Sequence, residues 1–155
     1  MRFMGIDYGM KRIGVAVSDE MGTLAFPKVI ILNDSNVFKK LEELIKGNHI
    51  TEIVVGESLD LSGEENALQA RIGVFIDELH DRFNLPVRKQ KEFLTSVEAR
   101  KSTNTKSNSH KSLSHSKQKA KKSEKVDAGA AALILQRYLD RRSKKEQGGL
   151  NNKLI

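Results

Sequence analysis

The sequence predicts an α/β fold, a five-stranded mixed sheet with helices packed on its faces, and three observations carry that expectation. Short apolar runs joined by tight turns open the chain; the apolar period then shifts from two to about 3.6 residues; and an alanine-rich helical segment closes it. Residues 2–8 (RFMGIDY) and 12–18 (RIGVAVS) flank Gly9-Met10-Lys11, a spacing that suits a β-hairpin with Gly9 able to take positive φ. A third run at 27–32 follows the turn-forming Gly22, so an antiparallel meander is expected.

Val37, Leu41, Leu44 and Ile45 recur at helical spacing, with Ser35 or Asn36 as N-cap and Gly47 as the end. EIVVG at 52–56 reads as the next strand, and Leu68, Ile72, Phe75, Ile76 and Leu79 mark a second helix. Asn84-Leu85-Pro86 introduces a short strand at 87–90. The alternation of strand and helix places the strand at 52–56 parallel and adjacent to the first, and the one at 87–90 one place further out.

Residues 100–125 hold lysine, serine and asparagine with almost no apolar content, which predicts a mobile loop inside the domain. In VDAGAAALILQRYLDRR, Val126, Ala130, Leu133, Ile134 and Tyr138 define a helix face that approaches the sheet. The domain is expected to span 1–142, with a polar tail at 143–155.

The 27 Lys and Arg against 20 Asp and Glu give a net charge of +7, a balance that favours polyanionic partners. Cysteine is absent, which excludes a disulfide framework, a thiolate zinc site and a cysteine nucleophile; any metal must be held by oxygen or histidine. No signal-peptide-like h-region or membrane-length apolar run is present, so a soluble cytoplasmic protein is expected.

Asp7 ends an apolar strand, where an ionised carboxylate needs a cation or several donors; a turn cap and a metal ligand both meet that need. Glu57 and Glu92 each follow a strand, and either reads equally as a solvated surface acid. Asp127 falls in the first turn of the last helix, where the dipole alone would favour it, yet it shares a face with Ala130, Ala131 and Ile134. Four acids from separate segments near one sheet edge suit Mg²⁺ or Mn²⁺, and two such ions about 4 Å apart serve phosphodiester cleavage. Lys117, Lys119, Lys121 and Lys122 would meet nucleic-acid phosphates, as would Lys11 and Arg12 in the first hairpin. His110 and His115 lack metal-ligand spacing and read as bystanders.

GIDYGMKRIGVAVSD, the VVG strand, EFLTS and VDAGAAALILQRYL together resemble the YqgF (RuvX) family, of RNase H-like fold, over nearly the whole chain. The resemblance implies a nuclease that matures the 5′ end of pre-16S ribosomal RNA, with Holliday junction resolution as the alternative and a non-catalytic RNA-binding module as a reading of another class. Asp7 matches the family's first-strand acid and Asp127 the acid of its last helix. The family's middle acid sits in Asp-Glu-Arg, which here reads Lys91-Glu92-Phe93, and its VVG strand continues with Leu-Pro, which here is Glu57-Ser58. Family position ranks Glu92 ahead of Glu57, and both are expected to face one cavity. The implied partners are pre-rRNA or branched DNA and ribosomal precursor particles, for a monomer or homodimer. The first hairpin also resembles the phosphate-binding opening of actin-like ATPases and sugar kinases, but that class needs two such domains and this chain is long enough for one.

Overall fold

The N-terminal run FMGI, apolar at every position but one glycine, forms the middle of the central strand of a mixed sheet and is buried on both faces. A computed structural model describes residues 1–58, 67–92 and 117–151. In chain order these form β1 (Arg2–Tyr8), β2 (Arg12–Ser18), β3 (Ala25–Leu32), α1 (Val37–Gly47), β4 (Ile50–Ser58), α2 (Ala67–Phe83), β5 (Val87–Glu92) and α3 (Lys117–Asn151). The sheet has five strands in the order β3-β2-β1-β4-β5. β1 to β3 form the antiparallel meander, and β4 and β5 add in parallel on the other side of β1, as the alternation of elements predicts.

Each sheet face carries its own core. On one, Met4, Ile6, Ile13, Val15, Ile53 and Val55 pack against Val37 and Leu41 of α1 and Ile72, Phe75 and Leu79 of α2. On the other, Phe3, Ala16 and Val54 meet Ala131, Ile134, Leu135 and Leu139 of α3. Leu133, placed on that face by periodicity, is instead 38% exposed, because the row that docks runs Ala131–Leu135–Leu139.

Several local expectations change in the folded chain. Gly9 does not adopt positive φ; a Cβ there would lie 2.5 Å from the carbonyl oxygen of Arg12, so the tight turn needs its missing side chain. Asn36 is the N-cap of α1 but makes no side-chain capping bond, and its own N–H donates to Asp34 Oδ1 at 2.9 Å. β4 and β5 run on through Glu57 and Glu92, because their parallel ladder continues to the pair Ser58↔Glu92. Ladder pairing outweighs the weak strand preference of these residues.

The largest difference is α3. It starts at Lys117, within the loop expected at 100–125, and continues through Asn151, into the tail expected at 143–155. KQKAKKSEK is poor in apolar residues, but its unbranched side chains lose little freedom in a helix and it contains neither glycine nor proline. Asp127 therefore lies well inside α3 rather than in its first turn, where the dipole argument no longer applies. The rest of the expected loop, with His110 and His115, lies outside the described residues, as does EFLTS beyond Glu92.

Candidate functional site

The site is set by how closely α3 lies on β1. A Cβ built on Gly5 would fall 2.7 Å from Leu135 Cβ and 2.8 Å from the carbonyl oxygen of Ala131, so helix and strand touch backbone to backbone. Further back along β1, Phe3 meets Tyr138 with ring centroids 6.1 Å apart, and Arg142 lies 4.8 Å over the Phe3 ring. The contacts thus step from Phe3 to Gly5 as α3 steps from Arg142 back to Ala131, and the two elements run antiparallel. Two residues on from Gly5, about 6.6 Å, the strand reaches Asp7. Four residues back from Ala131, about 6 Å, the helix reaches Asp127. Both acids arrive at the end of the sheet where β1, β4 and β5 terminate together.

Register assigns the remaining acids. Phe3↔Glu52 and Gly5↔Val54 are pairs on the α3 face, whereas Met4↔Ile53 and Ile6↔Val55 belong to the α1–α2 face. On β5 the pairs Val54↔Arg88, Gly56↔Gln90 and Ser58↔Glu92 carry the α3 parity across. Glu92 therefore stands at a position of the same parity as Asp7, two strands away, about 10 Å across the sheet, and two residues further along it. Glu57 alternates to the opposite parity, shared with Ile53 and Val55, so the expectation that both glutamates face one cavity is not met by the register. On that opposite face, beside Tyr8, lies a separate cavity of about 620 Å³ lined by Phe38, Phe75, Arg71 and Asn33 among others.

Lys11 and Arg12 stand in and just after the β1–β2 turn, next to the end of β1 and exposed. Asn33 anchors that turn: its N–H donates to Lys11 O at 3.0 Å and its Nδ2 to Gly9 O at 2.8 Å. Lys117, Lys119, Lys121 and Lys122 occupy the first two turns of α3, up to about 15 Å of helix before Asp127. Among the described residues no three His, Cys, Asp or Glu form a metal-binding group; for Glu57, Glu92 and Asp127, position in the backbone is what the structure describes. The candidate donors are all carboxylates, which suits a hard divalent ion such as Mg²⁺ or Mn²⁺.

Sequence reasoning passed over Glu52, whose buried carboxylate fastens α3 to the β4–β5 side of the sheet. Its Oε1 accepts from Tyr138 Oη at 2.6 Å and from Arg88 Nε at 3.2 Å, and Arg142 Nη1 lies 3.5 Å from its Oε2. Two guanidiniums and a phenol offset the desolvation of one charge. The only signal in the sequence was a glutamate at the head of an apolar strand. Burial, then the hydrogen bond and charge of Glu52, push the Tyr138 phenol above its ordinary value, partly offset by Arg142 and Arg88. The neutral phenol is the form the fold prefers, so its contribution is complete below pH 10 and is lost as pH rises through the higher folded value. Tyr138→Phe should cost about 1.5–3 kcal/mol in urea unfolding at pH 7. Comparing wild type and variant above pH 10 should show that difference shrinking.

The model of the family described as "RuvX: Holliday junction resolvase" matches residues 1–141. The chain belongs to the RuvX family. Among relatives of this RuvX chain, a protein of Sulfurihydrogenibium sp. (strain YO3AOP1) named "Putative pre-16S rRNA nuclease" is 42% identical over 142 residues, covering 92% of each chain. A protein of the same name from Thermoanaerobacter pseudethanolicus is 34% identical, covering 94% of this chain and all of that one. Among solved structures, Thermus thermophilus RuvC in complex with a Holliday junction substrate superposes with a TM-score of 0.53 at 14% identity, over 92% of this chain and 96% of that one. The fowlpox virus resolvase in complex with Holliday junction DNA also gives 0.53, at 12% identity over 91% and 98%. At such identities the shared property is the RNase H-like fold, which this RuvX chain adopts with its five-stranded mixed sheet. Among the described residues no helix is long and apolar enough to cross a membrane.

Proposed function

We propose that the protein is a metal-dependent nuclease that hydrolyses phosphodiester bonds of structured nucleic acid, acting at the 5′ end of pre-16S ribosomal RNA. The observation that carries this reading is that Asp7 and Glu92 stand at positions of one parity near the ends of β1 and β5, with Asp127 four residues before Ala131, where α3 is pressed on β1 at Gly5. Family membership and the names of the 42% and 34% identical relatives support the substrate.

In this mechanism Asp7, Glu92 and Asp127 would hold Mg²⁺ or Mn²⁺, which would supply Lewis-acid chemistry for phosphodiester hydrolysis. Asp7 is carried by the central strand, where it pairs with Gly14 of β2. Asp127 is held by the docking of α3, which Gly5 permits and Glu52 secures. Lys11, Arg12 and the lysines at 117, 119, 121 and 122 bind flanking phosphates and orient the strand. Glu57, on the other parity, is not needed as a ligand.

That assignment is open to direct measurement. Glu92→Gln should lower both Mn²⁺ affinity and cleavage rate by about 100-fold or more, while Glu57→Gln should stay within about 10-fold of wild type in both. The reverse outcome would transfer the ligand role to Glu57. For the substrate, pre-16S rRNA fragments and synthetic four-way junctions should be incubated with the protein side by side, with Mg²⁺, with Mn²⁺ and with neither. Cleavage of the RNA at its 5′ processing site is the expected result; preferential cutting of the junction would favour the resolvase activity that the family description names. Binding without cleavage under any metal would leave an RNA-binding module.

A further inference from the structure

We infer that the groove between β5 and the C-terminal half of α3 is a second nucleic-acid subsite, which grips backbone phosphates of the strand whose cleavage is proposed above. The inference rests on that reading for the identity of its ligand, but on different residues. The groove, about 490 Å³, is lined by Lys89 and Gln90 of β5 and by Tyr138, Arg141, Arg142, Lys145 and Glu146 of α3. Arg141, Arg142 and Lys145 lie three, four and seven residues after Tyr138, so the four form one side of the helix. Arg141, Arg142 and Lys145 of α3 thus stand beside one carboxylate, and Lys89, whose strand position alternates to the other face, borders the groove at the open edge of β5. Arg142 is committed to the fold through Glu146, Glu52 and the Phe3 ring. Lys89, Arg141 and Lys145 are exposed and form no ion pair among the described residues.

A second observation points to a ligand. Gln90 is 3% exposed, yet its amide makes one hydrogen bond among the described residues, Nε2 donating to Lys91 O at 3.2 Å. Its second N–H and its Oε1 have no described partner, at the wall of a positively charged groove. A buried amide left this way costs about 1–3 kcal/mol unless water, a ligand or a residue outside the described ones meets it. A phosphate oxygen accepts from such an N–H and is attracted by the surrounding cations.

Continuity with the acids selects nucleic acid over another polyanion. Gln90 pairs with Gly56, which stands one step past Ile6↔Val55 and so level with Asp7. The groove therefore starts beside the acids on the same face and leads away along β5. Arg141 and Lys145 are four residues apart, about 6 Å along the helix axis. That separation suits cations set on successive phosphates of one strand.

The test measures binding rather than cleavage. Wild type and the variant Lys89→Gln/Arg141→Gln/Lys145→Gln are titrated, in EDTA and over a range of salt, against a labelled single-stranded RNA, a DNA of the same sequence and a four-way junction. On the single strands the slope of log K against log salt should become shallower by roughly 2, at about 0.7 per lost phosphate contact. A control with the same loss of charge on β3 and α1, Lys28→Gln/Lys39→Gln/Lys46→Gln, should leave the slope near wild type. Lys89→Arg/Lys145→Arg should retain it as well. An unchanged slope in the groove variant, or an equal change in the control, overturns the subsite; so does a wild type that binds none of the three probes. If the slope falls as expected while no metal supports cleavage, the groove stands and the nuclease reading falls.

Discussion

Asp7→Asn should abolish cleavage, lowering the rate by at least about 100-fold, while nucleic-acid binding in EDTA stays within about twofold of wild type. The substitution keeps the volume of the side chain at the end of β1 and removes only its charge, so the central strand should keep its register with β2 and β4. The positions assigned to phosphate binding, from Lys11 and Arg12 to the groove beside β5, are untouched. The loss should therefore appear in the rate and in Mn²⁺ affinity, not in the binding isotherm. Cleavage at the wild-type rate would remove Asp7, and with it the proposed metal centre.

Gly5→Ala should disrupt the packing of α3 on β1. The new Cβ would sit 2.7 Å from Leu135 Cβ and 2.8 Å from the Ala131 carbonyl oxygen, and the latter is backbone that moves only if the helix moves. Overpacking of this kind costs about 1–3 kcal/mol. For a chain of this size the thermal midpoint should fall by roughly 3–10 °C. The more telling effect is on activity: lifting α3 by about 1 Å carries Asp127 away from Asp7, and a displacement of that size can cost about 100-fold in rate. Gly73→Ala is the matched control. It lies in α2 with nothing within 4 Å of a built Cβ, and replacing an open mid-helix glycine should stabilise the protein by about 0.5–1 kcal/mol with no change in cleavage. Equal effects from the two alanines would show that helix–strand contact does not position the site.

The acids differ in how far their sequence context revealed their placement. Asp7 was conspicuous because a charge in RFMGIDY has no place in a strand buried on both faces unless it comes at the end. Asp127 was placed from spacing alone, four and seven residues before Ala131 and Ile134, which do dock on the sheet. The two glutamates were not separable. Each was read as following a strand, and the strands' true ends at Ser58 and Glu92 emerge only from the pairing of β4 with β5. A strand has a period of two, so one residue of register decides the face, and register belongs to the pair of strands rather than to either alone.

The sequence by itself determined the meander, the strand–helix alternation and hence the order β3-β2-β1-β4-β5, because turns, apolar periods and crossover lengths are local properties. It also determined that any resident metal would be held by oxygen or histidine, since there is no cysteine. Tertiary structure decided what depends on contact between distant segments. Gly5 is a small residue in a strand until Ala131 and Leu135 close over it, and Glu52 is an awkward charge until Arg88, Arg142 and Tyr138 surround it. The lysine-rich stretch before Asp127 has no apolar face to announce a helix, yet its backbone continues α3 from Lys117. Helix propagation adds one hydrogen bond for each residue fixed, so a segment of good helix formers joined to a docked helix does not bear the cost of starting one.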